Sequence, residues 1–202
     1  SPSSLPIYPS FKSYKDAWRL IRTNRDLLFG SLFSLIVFMT FGLGASLVPL
    51  YFSEVGMTSL LIGVLVSIRL GAETFIKLSY KFLTTRFGNF WVLITSTLIA
   101  GLFIILVSLS QSFLLISVFS ALWGFGSGLY LPIVFDLIGK VTTVEERGVA
   151  MGIRGTFGTF GAAFGTWAFS TIAANMSISS SLLLAGLFAA LGSLVLGLIF
   201  RG

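Results

Sequence analysis

Six long apolar segments fill this chain, and basic residues occur on only every other connection between them. The segments run over roughly 27–52, 60–83, 90–110, 113–138, 149–173 and 181–200. Each reaches the length of about 20 residues that a helix needs to cross a hydrocarbon core about 30 Å thick. Lys12, Lys15, Arg19, Arg22 and Arg25 precede the first segment. Lys81 and Arg86 lie on the second connection, Lys140 and Arg147 on the fourth, and Arg201 follows the sixth segment. The intervening connections, near 52–59, 110–112 and 175–180, carry no Lys or Arg. Basic loops stay on the cytoplasmic side. One topology satisfies every loop: six crossings with both termini cytoplasmic. The sequence therefore predicts an all-α integral membrane protein whose surroundings are the lipid bilayer, expected in the plasma (cytoplasmic) membrane.

Composition supports this. Apolar residues make up 55% of the 202 and charged residues 10%, against about 25% charged in soluble domains. A soluble domain of this size could not bury so much apolar surface. The net charge of +6 sits on the loops that topology already explains, so nucleic acid is not an expected partner. The chain has no Cys and no His. That excludes disulfides, thiolate nucleophiles, His-based metal sites and Ser-His-Asp triads. No metal, no other cofactor and no enzymatic activity are expected. Any proton traffic would fall to the seven acids.

Residues 1–26 read as a cytoplasmic linker, and 27–202 as the transmembrane bundle. Residues 1–10 are Ser/Pro-rich, as linkers are. Residues 11–26 combine basic side chains with Phe11, Tyr14, Trp18 and Ile21 at helical spacing. That pattern fits a short amphipathic helix on the membrane surface, or a plain solvated linker. A linker here implies that something precedes this piece of chain.

The second and fifth segments repeat each other. Residues 63–75 read GVLVSIRLGAETF and residues 148–160 read GVAMGIRGTFGTF. Six of the thirteen positions are identical, including Ile68/Ile153, Arg69/Arg154 and Thr74/Thr159. Residues 41–44 (FGLG) and 125–128 (FGSG) form a second match, each followed by a proline, Pro49 and Pro132. The bundle thus reads as two three-helix units. Three is an odd number of crossings, so the second unit enters from the opposite side, giving a 3+3 inverted repeat, a plan that many secondary transporters use.

Arg69 and Glu73 straddle the middle of the second segment at i,i+4 spacing, on one helix face. Lys77 and Lys81 continue that stripe. An unpaired charge at the centre of a span costs about 2.5–3.5 kcal/mol on insertion scales, so this face should line a cavity or pack inside the bundle. Either Glu73 takes up a proton and Arg69 holds an anionic group, each controlling the other, or the two form a static ion pair. Arg154 is the repeat mate of Arg69. It lies six residues inside the expected start of its segment, where it serves a gate or snorkels to the surface. Asp136 is placed to pair with Lys140 at i+4 and with the Arg147 loop, as a gate or anchor. Trp123 and Tyr130 would present an aromatic wall to a solute, or simply pack. Gly155, Gly158, Gly161 and Gly165 leave a smooth helix face for close approach by another helix. Pro49 and Pro132 should kink their helices.

Two stretches carry a family resemblance. Residues 85–93 (TRFGNFWVL) resemble the loop motif of the major facilitator superfamily, written G-x-L-A-D-R-x-G-R-R-x-V-L. Leu83, Arg86, Gly88, Val92 and Leu93 match it. Lys81 stands where Gly is usual, Thr85 where Asp is usual, and Asn89 and Phe90 where basic residues are usual. Residues 145–152 (EERGVAMG) are similar to the family's E-E-R-G-x-A-x-G loop. The glycine run 155, 158, 161, 165 follows it, with Thr166 in place of the family's Pro. The resemblance covers Lys15 to Arg201. It implies one six-helix half of a transporter, the C-terminal one. The leading basic linker resembles the family's central cytoplasmic loop, the loop motif is degenerate, and Ser120 replaces an arginine frequent in N-terminal halves. It further implies a cytoplasmic gate around Lys81, Arg86, Gly88, Asp136, Arg147 and Arg154. Such a half would move a small-molecule solute by alternating access, with proton coupling through Glu73. Its partner would be the other six-helix half or a second copy. The competing reading is a non-transporting membrane scaffold or interaction module, favoured by an intact Arg69–Glu73 pair without a cavity.

Overall fold

The computed structural model describes residues 12–201, with backbone alone over 12–16. The Ser/Pro-rich stretch 1–10 and Phe11 lie outside the described residues. The described chain is helical almost throughout: α1 (Lys12–Thr23), α2 (Arg25–Ala45), α3 (Leu47–Glu54), α4 (Ser59–Ile76), a 3-10 turn (Lys77–Ser79), α5 (Tyr80–Phe87), α6 (Asn89–Ser108), α7 (Phe113–Gly128), α8 (Tyr130–Val141), α9 (Val144–Asn175) and α10 (Ile178–Phe200).

Local chemistry explains the interruptions. Pro49 and Pro132 are each the third residue of a new helix segment, α3 and α8. A proline lacks the N–H that would bond four residues back, and its ring crowds that carbonyl. Four residues back stand Ala45 and Gly128, the last residues of α2 and α7. The two breaks therefore fall at the same place relative to the two prolines. Gly56 (φ 87°) and Gly88 (φ 81°) make the turns into α4 and α6, a backbone region that L side chains avoid.

Five stretches are long and apolar enough to cross a membrane: Arg25–Ala45, Ser59–Phe87, Asn89–Ser108, Phe113–Val141 and Ile178–Phe200. The sixth expected segment, 149–173, lies inside α9. That helix is longer than any of the five, at 32 residues, but its glycines and threonines make it less apolar. It starts at Val144, earlier than hydropathy alone places it. Thr143 accepts from the Glu146 amide while Glu146 accepts from the Thr143 amide, both at 3.3 Å. This capping box satisfies two otherwise orphaned donors.

The main packing pairs are α2 with α9, α4 with α7, and α6 with α10; α6 also packs on α7 and α10 on α2. Glycines bring backbones together in all three; in the third, Gly101 and Gly186 face each other's carbonyls. A methyl group on Gly161 would meet the Leu35 carbonyl, and one on Gly165 the Met39 backbone. Gly124 and Gly128 face the carbonyls of Arg69 and Glu73 in the same way. Gly158 rests on the Phe38 ring, whereas Gly155 touches nothing. Two apolar clusters fill the interior. One, around Leu27, Phe33, Leu93 and Ile138, lies toward the end that carries Arg86 and Arg147. The other, around Leu43, Phe52, Leu65 and Leu182, lies toward the opposite end.

Candidate functional site

The site starts from α4. Close approach at Gly124 presses α7 against the turn that holds Arg69, and the guanidinium then lies over the Trp123 ring, 4.6 Å from its centre. Gly44 on α2 leaves room for the far side of the group. A methyl group there would stand 3.1–3.2 Å from the guanidinium atoms. Arg69 thus reaches from α4 to α2 across the end of α7, and it is 9% exposed. Arg69, Thr40, Thr97, Trp123, Ser127 and Tyr130 border a cavity of about 30 Å³.

Tyr130 continues the site toward α9. Its hydroxyl donates a short hydrogen bond to Ser34 Oγ, and Ser34 donates to the Gly30 carbonyl at 2.7 Å. Arg154 Nη1 donates to the Tyr130 hydroxyl at 3.4 Å. The donors therefore run one way, from α9 through α8 to α2. The Arg154 guanidinium also lies 5.0 Å from the Phe135 ring centre. The early start of α9 puts Arg154 ten residues inside its helix, not the six expected. Its Nε is buried without a partner. The side chain is half-buried, beside Tyr130 and Phe135.

Arg69 and Glu73 share a helix face but do not pair. Glu73 Oε1 bonds Lys77 at 3.3 Å, and Glu73 Oε2 is buried without a partner. Among the described residues no carboxylate pairs with Arg69. Trp123 and Tyr130 do stand together, as neighbours of the two arginines.

The expected gate residues divide. Asp136 binds Lys140 at 2.6 Å and accepts a short hydrogen bond from Asn89. The latter ties the start of α6 to α8. Arg147 does not reach Asp136; it donates to the Gly139 carbonyl at 3.2 Å, near the end of α8, where helix carbonyls lack partners. Lys81 and Arg86 are exposed and make no ion pair with another described residue. Gly88 makes the turn between α5 and α6. The residues that were not foreseen are Asn89, Ser34, Thr40, Thr97 and Gly44. A hydroxyl inside an apolar span was a readable signal for three of them; the closeness of Asn89 to Asp136 was not.

A comparison of the whole chain with known families gives one match that covers nearly all of it: the Major Facilitator Superfamily, over residues 27–202. The chain belongs to this superfamily. It is an integral membrane protein of a transporter family. A similar protein is MFS transporter asaE of Aspergillus flavus, 30% identical over 107 residues, which are 52% of this chain and 24% of that protein. The chain thus matches about a quarter of the length of that relative. Within this major facilitator chain, Asn89 of the degenerate loop motif between the second and third apolar segments hydrogen-bonds Asp136 on α8.

Proposed function

We propose that this chain is the C-terminal half of a secondary transporter, which moves a small solute by rocking against the other six-helix half or a second copy. In this reading α9 is the sixth span, and the bundle is a 3+3 inverted repeat with both termini on the cytoplasmic side of the plasma membrane. The pairing pattern supports the repeat. Exchange of the two units carries the α2–α9 contact into the α7–α4 contact, and α6–α7 into α10–α2. The matched breaks before Pro49 and Pro132 support it as well. Residues 1–26 are then the cytoplasmic linker, with α1 on the membrane surface.

The observation that carries the reading is the set of ionisable side chains held away from the span ends. Glu73 lies midway between Ser59 and Phe87, Arg69 one turn from it, and Arg154 ten residues into α9, as Arg69 is into α4. Such groups are expensive in a bilayer and mark pathways. The scaffold reading called for an Arg69–Glu73 pair and no cavity; the geometry has Glu73 on Lys77 and a cavity beside Arg69. Glu73 is the proton carrier of this proposal, and Asp136 with Asn89 and Lys140 forms the cytoplasmic latch.

The chain has no cysteine of its own, so within this half a single reporter is unambiguous. Thr40→Cys and Ser127→Cys, placed in the complete assembly, should react with an impermeant maleimide from either face, with the balance shifted by an imposed pH gradient. Access from one face only, whatever the gradient, would refute alternation. Proton uptake that is unchanged in Glu73→Gln would remove Glu73 from the coupling.

A further inference from the structure

We propose that the solute carries an anionic head, a carboxylate or phosphate, which binds at Arg69 with its apolar body along Trp123 and the neighbouring phenylalanines. The proposal rests on the transporter reading above and names its substrate class.

The charges on this face do not balance. Glu73 bonds Lys77 at 3.3 Å and lies one turn from Arg69, so one acid serves two cations; among the described residues neither Arg69 nor Arg154 makes an ion pair with a carboxylate. Arg69 is more than nine-tenths buried and, among the described residues, its guanidinium makes no hydrogen bond. Its one close partner is the Trp123 face. A guanidinium stacked on a ring keeps its edge donors free, and that planar fork fits a carboxylate or phosphate with two parallel bonds. Arg154 has spent one donor, on the Tyr130 hydroxyl at 3.4 Å, and its Nε has no partner.

The cavity beside Arg69 contains further donors. The Thr97 hydroxyl borders it, is 3% exposed and makes no hydrogen bond with another described residue. Thr40 and Ser127 border it as well, and their hydroxyls donate to backbone carbonyls at 2.9 and 3.2 Å. Among the described residues no carboxylate lines the cavity. With about 30 Å³ it admits a group of a few atoms and not a whole solute, which suits the head of an amphiphile in a closed half. The rim is aromatic: Phe41 borders the cavity, and Phe38 stands edge-on to Tyr130 at 5.9 Å. A cation would meet the Arg69 charge here. A neutral solute would leave the Arg69 fork unmatched in a medium where that is expensive.

Four probes of one shape separate the classes: benzoate, phenyl phosphate, neutral benzamide and cationic benzylamine. They are titrated into the purified complete assembly at constant ionic strength, with binding heat and thermal unfolding as readouts. At least one of the two anions should bind and raise the melting temperature, and which one does so tells carboxylate from phosphate; benzamide and benzylamine should do neither. Arg69→Gln should weaken the anion at least about tenfold, with Arg69→Lys in between. Without probe, Arg69→Gln should melt no lower than the wild type, because a charge without a partner is removed. Equal binding of benzamide, or no response to either anion, overturns the proposal. So does a lower melting temperature for unliganded Arg69→Gln, which would assign the guanidinium to a carboxylate of the other half. Failure here with maleimide access still alternating refutes the anion alone; loss of alternation refutes the transporter reading.

Discussion

Removal of the Tyr130 hydroxyl should destabilise the bundle by about 1–2 kcal/mol, although the atom lost is a single oxygen. The Tyr130→Phe variant keeps the ring and so opens no cavity: its edge-on contact with Phe38 and its place against α2 persist. What goes is the middle of a donor chain. Ser34 Oγ loses the proton it accepts but still donates to Gly30. Hydrogen bonds between helices in membranes average about 0.6 kcal/mol and reach about 1.7. Arg154 loses its one acceptor among the described residues, and bonds to charged groups contribute about 1.5–3 kcal/mol; at 3.4 Å this one belongs below that range. For a protein of this size about 1 kcal/mol corresponds to about 2–4 °C, so the melting temperature should fall by about 2–8 °C. Trp emission during a thermal ramp reads it directly. A cycle of Tyr130→Phe with Ser34→Ala should give a coupling near 0.6 kcal/mol. A Phe variant that melts with the wild type would refute the reasoning, since it would mean that neither bond holds α8 to its neighbours.

Gly161→Ala places a methyl group against the Leu35 carbonyl at 2.5 Å, where backbone must move; a loss of about 1–3 kcal/mol is expected. Gly155→Ala, on the same helix with nothing nearby, should instead gain about 0.5–1 kcal/mol from helix propensity, and the two melting temperatures should move apart. Thr143→Ala breaks the capping box at the start of α9 and should lower stability by about 1 kcal/mol, visible as faster amide exchange over the first turn. Gly88 has φ 81° and ψ 148°, in a region essentially reserved for glycine, so Gly88→Ala should lose about 1–3 kcal/mol in the same thermal assay.

Much of the fold was legible because its signals are local. Apolar run length and the alternation of basic loops place the helices to within a few residues. The larger misses are local too, and each has a cause that hydropathy does not weigh. Thr143 and Glu146 spell a capping box ahead of the fifth segment, so α9 begins on polar residues that an apolar window discards. Pro49 and Pro132 signal kinks, but only the position of the carbonyl four residues back puts the breaks after Ala45 and Gly128. The 3-10 turn at Lys77–Ser79 has neither Gly nor Pro to announce it. The glycine spacing on α9 foretold a close helix contact; it did not reveal that Gly155 lies outside that contact, since spacing gives a face but not its extent.

The site was legible in its members and not in its bonds. Glu73 has a cation four residues before it and another four residues after, and spacing alone treats Arg69 and Lys77 alike. Orientation does not. A glutamate N-terminal to its cation at i,i+4 is the better arrangement, which favours Lys77, and the geometry agrees at 3.3 Å. With Glu73 engaged in that direction, Arg69 is free to turn toward α2 and α7. What it meets there, the Trp123 face and the bare backbone at Gly44, comes from segments 25 and 54 residues away, and no period within α4 encodes such contacts. The same applies to Asn89 and Asp136, 47 residues apart. A charge on an apolar helix announces that a polar site exists, whereas the identity of its partner depends on which neighbouring backbones come close enough. In this chain the glycines at 44, 124 and 128 decide that. The buried Arg69 fork, at a cavity that no described carboxylate lines, is therefore a property of the packed bundle, and it is the feature from which the anionic solute follows.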